Sequence, residues 1–203
     1  MLHITIVIII SYLIGSIPTA YLVVRYLGYD LRNEGSRNIG ARNAFEVTSK
    51  KWVGIFVLII DFLKGAFPLV ILANIDAPCL WNPIAGAGLV IGHCYPIWLK
   101  FHGGRGLATG SAVILLLSPL HFVVWLVVYA LTSLFKRQVH IQTVVATVGC
   151  IVFESVTDTN SLVGKARLLC IGDSDVLHYS LLVIFVTILS RHIEPIKAYF
   201  KTS

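Results

Sequence analysis

Charge is scarce in this chain. Asp, Glu, Lys and Arg make up 13% of its 203 residues and apolar residues 57%, where a soluble domain carries roughly 25% and 45–50%. That shortage excludes an ordinary soluble domain and leaves an integral membrane protein. Several chemical signatures are also missing. There is no Walker A segment, no G-x-S-x-G elbow, and none of the seven histidines has an Asp five residues on. The four cysteines, Cys79, Cys94, Cys150 and Cys170, show neither Cys-x-x-Cys nor metal-ligand spacing. A nucleophilic triad and a metal mechanism are therefore not expected, and no cofactor is called for. Internal repeats, low-complexity tracts and heptads are absent. Basic residues are dispersed among the apolar runs with no recognisable binding fold, so nucleic acid is not an expected partner.

What is present is a series of apolar runs, at about 2–24, 52–73, 83–99, 106–119, 121–135, 141–156 and 176–190. They predict an all-α, polytopic membrane helix bundle of about seven transmembrane helices, forming a single integral membrane domain over 1–203. Several runs are shorter than the roughly 20 residues of a straight span, which lowers the count to five or six if some are re-entrant. The first run lacks a basic n-region and a small-x-small cleavage site, and Gly15-Ser16 and Pro18 interrupt it, so it reads as a retained first helix. With the N-terminus outside, the inner loops and tail collect Arg25, Arg32, Arg37, Arg42, Lys50, Lys51, Lys100, Arg105, Lys136, Arg137, Arg191, Lys197 and Lys201. The outer loops hold only Lys165 and Arg167. Net charge of +6 suits contact with anionic headgroups and anionic substrates on the inner side.

Two glycine-rich, arginine-bearing segments abut these runs: 35–43, Gly-Ser-Arg-Asn-Ile-Gly-Ala-Arg-Asn, and 101–106, Phe-His-Gly-Gly-Arg-Gly. Glycine lets a backbone approach an anion, a helix N-terminus adds partial positive charge, and Arg matches phosphate oxygens with a planar fork. The expected ligand is a phosphorylated molecule beside lipid. Asp61 and Lys64 stand at i and i+3 inside a span and should pair with each other, as a structural ion pair or as part of a site. His93, in Gly92-His93-x-x-Pro96, ends a short run just before the second glycine segment. It reads either as a packing residue or as part of the anion site. Cys79 and Cys170 both fall in predicted outer loops, which makes an external disulfide one hypothesis.

The motifs taken together carry a resemblance. Gly15-Ser16, Gly28-x-Asp30-x-Arg32, Gly35-Ser36-x-Asn38-x-Gly40-x-x-Asn43, Asp61-x-x-Lys64-Gly65, Gly92-His93-x-x-Pro96 and Gly103-Gly104-Arg105-Gly106-x-Ala108-Thr109 occur in that order. This resembles the bacterial acyl-phosphate-dependent glycerol-3-phosphate acyltransferase, over roughly 1–145 and 176–197. The resemblance implies an enzyme of the bacterial inner membrane with its active site and C-terminus cytoplasmic. Such an enzyme moves an acyl chain from acyl phosphate to the sn-1 hydroxyl of glycerol 3-phosphate and needs neither metal nor cofactor. Implied partners are glycerol 3-phosphate, acyl phosphate, membrane lipids and an enzyme that forms the acyl phosphate. Carried over residue by residue, Ser36, Arg105 and His192 are the implied catalytic residues. Gly35, Arg37, Asn38, Gly40, Asn43, Lys64, His93, Gly103, Gly104, Gly106, His140, Thr143 and Glu194 are implied around the substrate phosphates. Departures from the family pattern stand at Arg37, Glu46, His102, His140 and Pro195. They motivate one alternative, a catalytically degenerate homologue that binds phosphorylated lipid precursors. A small phosphate or organic-phosphate transporter is another, which the lack of an inverted repeat disfavours.

Overall fold

Lipid offers backbone N–H and C=O groups no hydrogen-bond partners, so a chain this apolar must satisfy them within helices. In the computed structural model every regular element among the described residues, 2–75, 77–135, 138–156, 168–170 and 172–202, is helical. In chain order the α-helices are α1 (Leu2–Gly15), α2 (Thr19–Tyr26), α3 (Ala41–Thr48), α4 (Lys51–Asn74), α5 (Trp81–Cys94), α6 (Leu107–Leu117), α7 (Pro119–Phe135), α8 (Val139–Val156), α9 (Ser174–Ser190) and α10 (Ile193–Thr202), with one 3-10 turn at Ile97–Leu99 between α5 and α6. Of the residues weighed in the sequence, Lys136, Arg137, Lys165 and Arg167 lie outside those described.

Four stretches are long and apolar enough to cross a bilayer: Leu2–Tyr26, Lys51–Asn74, Val139–Val156 and Ser174–Lys201. The remaining apolar runs give the shorter α5, α6 and α7, of 14, 11 and 17 residues. The first run, interrupted as its sequence indicates, is one candidate span made of two helices, α1 and α2. Pro18 has no N–H to continue the ladder, and the chain breaks between α1 and α2. At the break the Ile17 carbonyl accepts from Lys64 Nζ at 2.9 Å as well as from the Thr19 amide at 3.0 Å. Lys64 also pairs with Asp61 at 2.8 Å, the i,i+3 pair expected from the sequence.

The main core lies where α5 and α9 meet, with Leu89, Val90, Leu181 and Phe185 buried among side chains of α6. A second cluster of Val24, Leu31, Ala44, Val53 and Val57 pins α2, α3 and their connecting loop against α4. Residues such as Ile9, Leu58, Phe67 and Val127 point outward, as suits a lipid-facing surface. α1 crosses α5 at close range, for a Cβ on Gly92 would overlap the Tyr12 carbonyl. At the ends of α5 and α9 away from the glycine segments, Cys79 and Cys170 form the hypothesised disulfide, with Cα atoms 5.0 Å apart. Nearby, the buried Glu154 carboxylate is shared by His121 and His178, at 2.5 and 2.9 Å. This joins α7, α8 and α9.

Candidate active site

The loop before α3 is shaped by short-range polar contacts. Arg32 grips Asp30 through Nη2 at 2.7 Å and holds its carboxyl down at about 2, below the usual carboxylate range. Asn43, buried on α3, then stitches the glycine segment together. Its Oδ1 accepts from the Ser36 amide at 2.8 Å, and its Nδ2 donates to the carbonyls of Glu34 (3.2 Å) and Asn38 (3.0 Å). Both ends of the carboxamide are engaged, so Asn43 acts here by fixing the loop. Arg37 is exposed with φ +58°, the left-handed region that disfavours a Cβ. Arg37→Gly is therefore expected to raise the unfolding free energy by about 0.5–1 kcal/mol, once relief of αL strain is set against glycine's chain entropy. Denaturant unfolding in detergent measures it.

The second glycine segment folds back beneath the end of α5. The amides of Gly103 and Gly104 donate to the carbonyls of Cys94 (3.2 Å) and His93 (3.1 Å). These two N–H groups are thus occupied by protein. What the two glycines supply is clearance, because a Cβ on Gly104 would overlap His93 Nε2 and press on the Ile39 carbonyl. Their own carbonyls are held by Arg191, which donates from Nη2 to Gly103 at 2.9 Å and from Nε to Gly104 at 3.1 Å. Its guanidinium lies 5.3 Å from the centre of the Tyr95 ring. In the sequence Arg191 stands only as an inner-loop charge, and no local pattern links it to residues 87 and 88 positions away.

Above these segments lies a recess of two adjoining lobes that share Asn38, Arg42, Arg105, Val139 and His140. The deeper lobe, about 200 Å³, adds Gly40, Asp61, His93 and His192. The outer lobe, about 350 Å³, adds Ser36, Asn43, Glu46 and Gln138. Arg105 makes no ion pair with another described residue. Burial, with Arg191 and Arg42 nearby, holds its guanidinium below its ordinary value. His192 is fully buried, and its Nδ1 lies 2.9 Å from the Ile188 carbonyl. A carbonyl can only accept, so Nδ1 carries the proton and Nε2 offers a lone pair in the neutral ring. Neither that Nε2 nor His140 Nδ1 has a hydrogen-bond partner among the described residues, and the two rings are 5.4 Å apart.

The deeper lobe continues outward. A groove of about 400 Å³ lined by Leu58, Ile59, Phe62, Leu63, Leu107, Ala108 and Ser111 shares Leu58, Leu107 and Ala108 with it. Its lining is apolar apart from Ser111, and Ile59 and Leu63 are exposed on the outer surface of α4. A ligand with a charged head and a hydrocarbon tail could occupy recess and groove together.

Of the residues singled out in the sequence, the recess brings together Ser36, Asn38, Gly40, Asn43, His93, Arg105, His140 and His192. Others line neither lobe. Lys64 is spent on Asp61 and Ile17. Thr143 bonds back to the Val139 carbonyl at 2.8 Å. Glu194 is exposed and pairs with Lys197 at 3.2 Å. Gly35, Arg37, Gly103, Gly104 and Gly106 shape the surrounding backbone. The sequence shows no imidazole–carboxylate pair, yet the fold makes them: besides Glu154, Asp61 lies 3.8 Å from His93 Nδ1. That separation is too long for a hydrogen bond, and Lys64 is the nearer partner of Asp61.

Comparison with known proteins agrees over nearly the whole length. The family model described as glycerol-3-phosphate acyltransferase matches residues 5–202. The glycerol-3-phosphate acyltransferase of Geotalea daltonii is 38% identical over 136 residues, 67% of this chain and 70% of that protein. Glycerol-3-phosphate acyltransferase 2 of Bacillus anthracis is 35% identical over 170 residues, 81% of this chain and 86% of that protein. The crystal structure of PlsY (YgiH), an integral membrane glycerol 3-phosphate acyltransferase, in its glycerol 3-phosphate form superposes with a TM-score of 0.78. The two are 30% identical, and the match covers 98% of this chain and 93% of that one. The lysophosphatidic acid form of PlsY gives 0.77 at 27% identity, with the same coverage.

Proposed function

The chain belongs to the glycerol-3-phosphate acyltransferase family, and from that membership we propose that it transfers an acyl group from an acyl phosphate to the sn-1 hydroxyl of glycerol 3-phosphate. The products are lysophosphatidic acid and inorganic phosphate. One observation carries the reading: a recess with two guanidinium groups and three imidazoles opens into an apolar groove along α4 and α6. Phosphate heads in the recess and an acyl tail in the groove would set the carbonyl beside the acceptor hydroxyl.

In the transfer a C–O ester bond forms to the acceptor oxygen, the carbonyl–O–phosphate bond breaks, and the electron pair leaves on phosphate. The donor is already activated, so orientation and charge stabilisation dominate the protein's share. Arg105 stabilises the developing oxyanion and the departing phosphate. Ser36 and Asn38 hold the acceptor. His192 Nε2 accepts a hydrogen bond from the acceptor hydroxyl and fixes its direction. The hydroxyl proton passes to the acceptor's own phosphate, because the group behind His192 is a neutral carbonyl rather than a carboxylate.

We place this chemistry on the cytoplasmic side of a bacterial inner membrane, with the N-terminus outside. Two independent features support that orientation. Basic residues gather on the glycine-segment side, and the disulfide sits at the other ends of α5 and α9, as an oxidising exterior favours. The test incubates the purified protein with acyl phosphate and labelled glycerol 3-phosphate in lipid. Labelled lysophosphatidic acid is the expected product. No product, with the label still bound, would point to a degenerate homologue; phosphate flux into proteoliposomes without acylation would point to a transporter.

A further inference from the structure

The recess holds two guanidinium groups, one from each glycine segment, Arg42 from 35–43 and Arg105 from 101–106. Arg42 is also the second residue of α3, and it lines both lobes. Its Nε donates to Glu46 Oε1, one helical turn on, at 2.8 Å. Its two terminal nitrogens make no hydrogen bond with a described residue, and Glu46 itself lines the outer lobe. The side chains are 68% and 41% exposed, so the pair stands in water at the mouth, where such contacts are weak and open readily.

We propose that Arg42 is a second phosphate-binding side chain of this recess, and that Glu46 is the counter-ion it exchanges for the acceptor's phosphate. A guanidinium that meets one carboxylate oxygen through Nε alone has its bidentate edge unused, and a phosphate dianion can take two parallel N–H donors from it. Glu46 then acts in two ways. It keeps Arg42 folded over the mouth when the recess is empty, and its own negative charge opposes the dianion once bound. Glu46 thereby limits how tightly an anionic acceptor is held, and sets the affinity at which phosphate can also leave. The identity of the acceptor as glycerol 3-phosphate rests on the function proposed above; the phosphate-binding role of Arg42 does not.

The experiment titrates inorganic phosphate and glycerol 3-phosphate separately into the purified full chain in detergent and follows heat. Arg42→Gln is expected to weaken both by about tenfold, as loss of one charge-assisted phosphate contact does, and Arg42→Lys to recover only part of that loss. Glu46→Gln is expected to tighten both by about threefold, by less in the Arg42→Gln background and by less at high salt. Binding within twofold of the parent for Arg42→Gln and Glu46→Gln, with unchanged thermal unfolding, overturns the proposal. If Arg42→Gln fails to fold, the Glu46→Gln titration decides alone. Arg42-dependent phosphate binding by a protein that makes no lysophosphatidic acid would uphold this site and sink the acyltransferase reading. Normal acyl transfer with variants that bind like the parent would do the reverse.

Discussion

Arg105→Ala is expected to cut acyl transfer at least about 100-fold, the scale seen when one donor to a developing oxyanion is removed, while leaving the unfolding transition where it was. The two halves of that expectation have separate causes. The guanidinium lines both lobes of the recess and makes no ion pair with another described residue. No described carboxylate takes up its charge, and the proposed mechanism assigns that charge to the ligand. Burial already works against its charged form, with Arg191 and Arg42 adding to the effect. An approaching phosphate relieves that crowding, so binding and charge stabilisation should fall together in the variant. Steady-state rates with acyl phosphate, set beside thermal unfolding of the same preparations, check both halves. Full activity in Arg105→Ala would remove the central assignment of the proposed mechanism.

Gly104→Ala should lose activity for a different reason. The added methyl would overlap His93 Nε2 and sit 2.9 Å from the Ile39 carbonyl. His93 is a ring packed to 7% exposure, and Ile39 is backbone of the other loop, itself 5% exposed. Neither can step aside cheaply, and the Arg191 clamp keeps the Gly104 carbonyl from yielding. The two loops are forced apart at the point where they meet. The expected result is a stability loss of about 1–3 kcal/mol, the usual range for overpacking, with kcat/KM reduced at least about tenfold, since a misplacement near 1 Å can cost more than that. Gly149→Ala serves as the control. The nearest atoms its methyl would meet are those of Val128, from 3.5 Å, an ordinary contact, so stability should hold or rise through helix propensity. Equal behaviour of the two variants would mean that the loop contact carries no weight.

Much of this could be read without coordinates because its causes are local. Apolar runs of bilayer length must become helices, whatever surrounds them. Asp61 and Lys64 share a helix face by their spacing alone, and their pairing at 2.8 Å follows. The two glycine segments announce close backbone approach, and their order along the chain carries the family resemblance. Even the break in the first run is visible in Pro18, although the contact of Lys64 with the Ile17 carbonyl at that break is not.

Packing decided the remainder. The amides of Gly103 and Gly104 looked available to phosphate in one dimension; the end of α5 claims them in three. Arg191 clamps a loop nearly ninety positions away, and Arg42, in the sequence one member of the first glycine segment, is placed by α3 on both lobes of the recess. The imidazole–carboxylate contacts of Asp61 with His93 and of Glu154 with His121 join residues more than thirty positions apart. The physical reason is one of range. Hydrophobic periodicity and backbone stereochemistry act between neighbours in the chain, whereas a polar contact between helices depends on their rotation and depth to within an ångström, and these are set by the whole core at once.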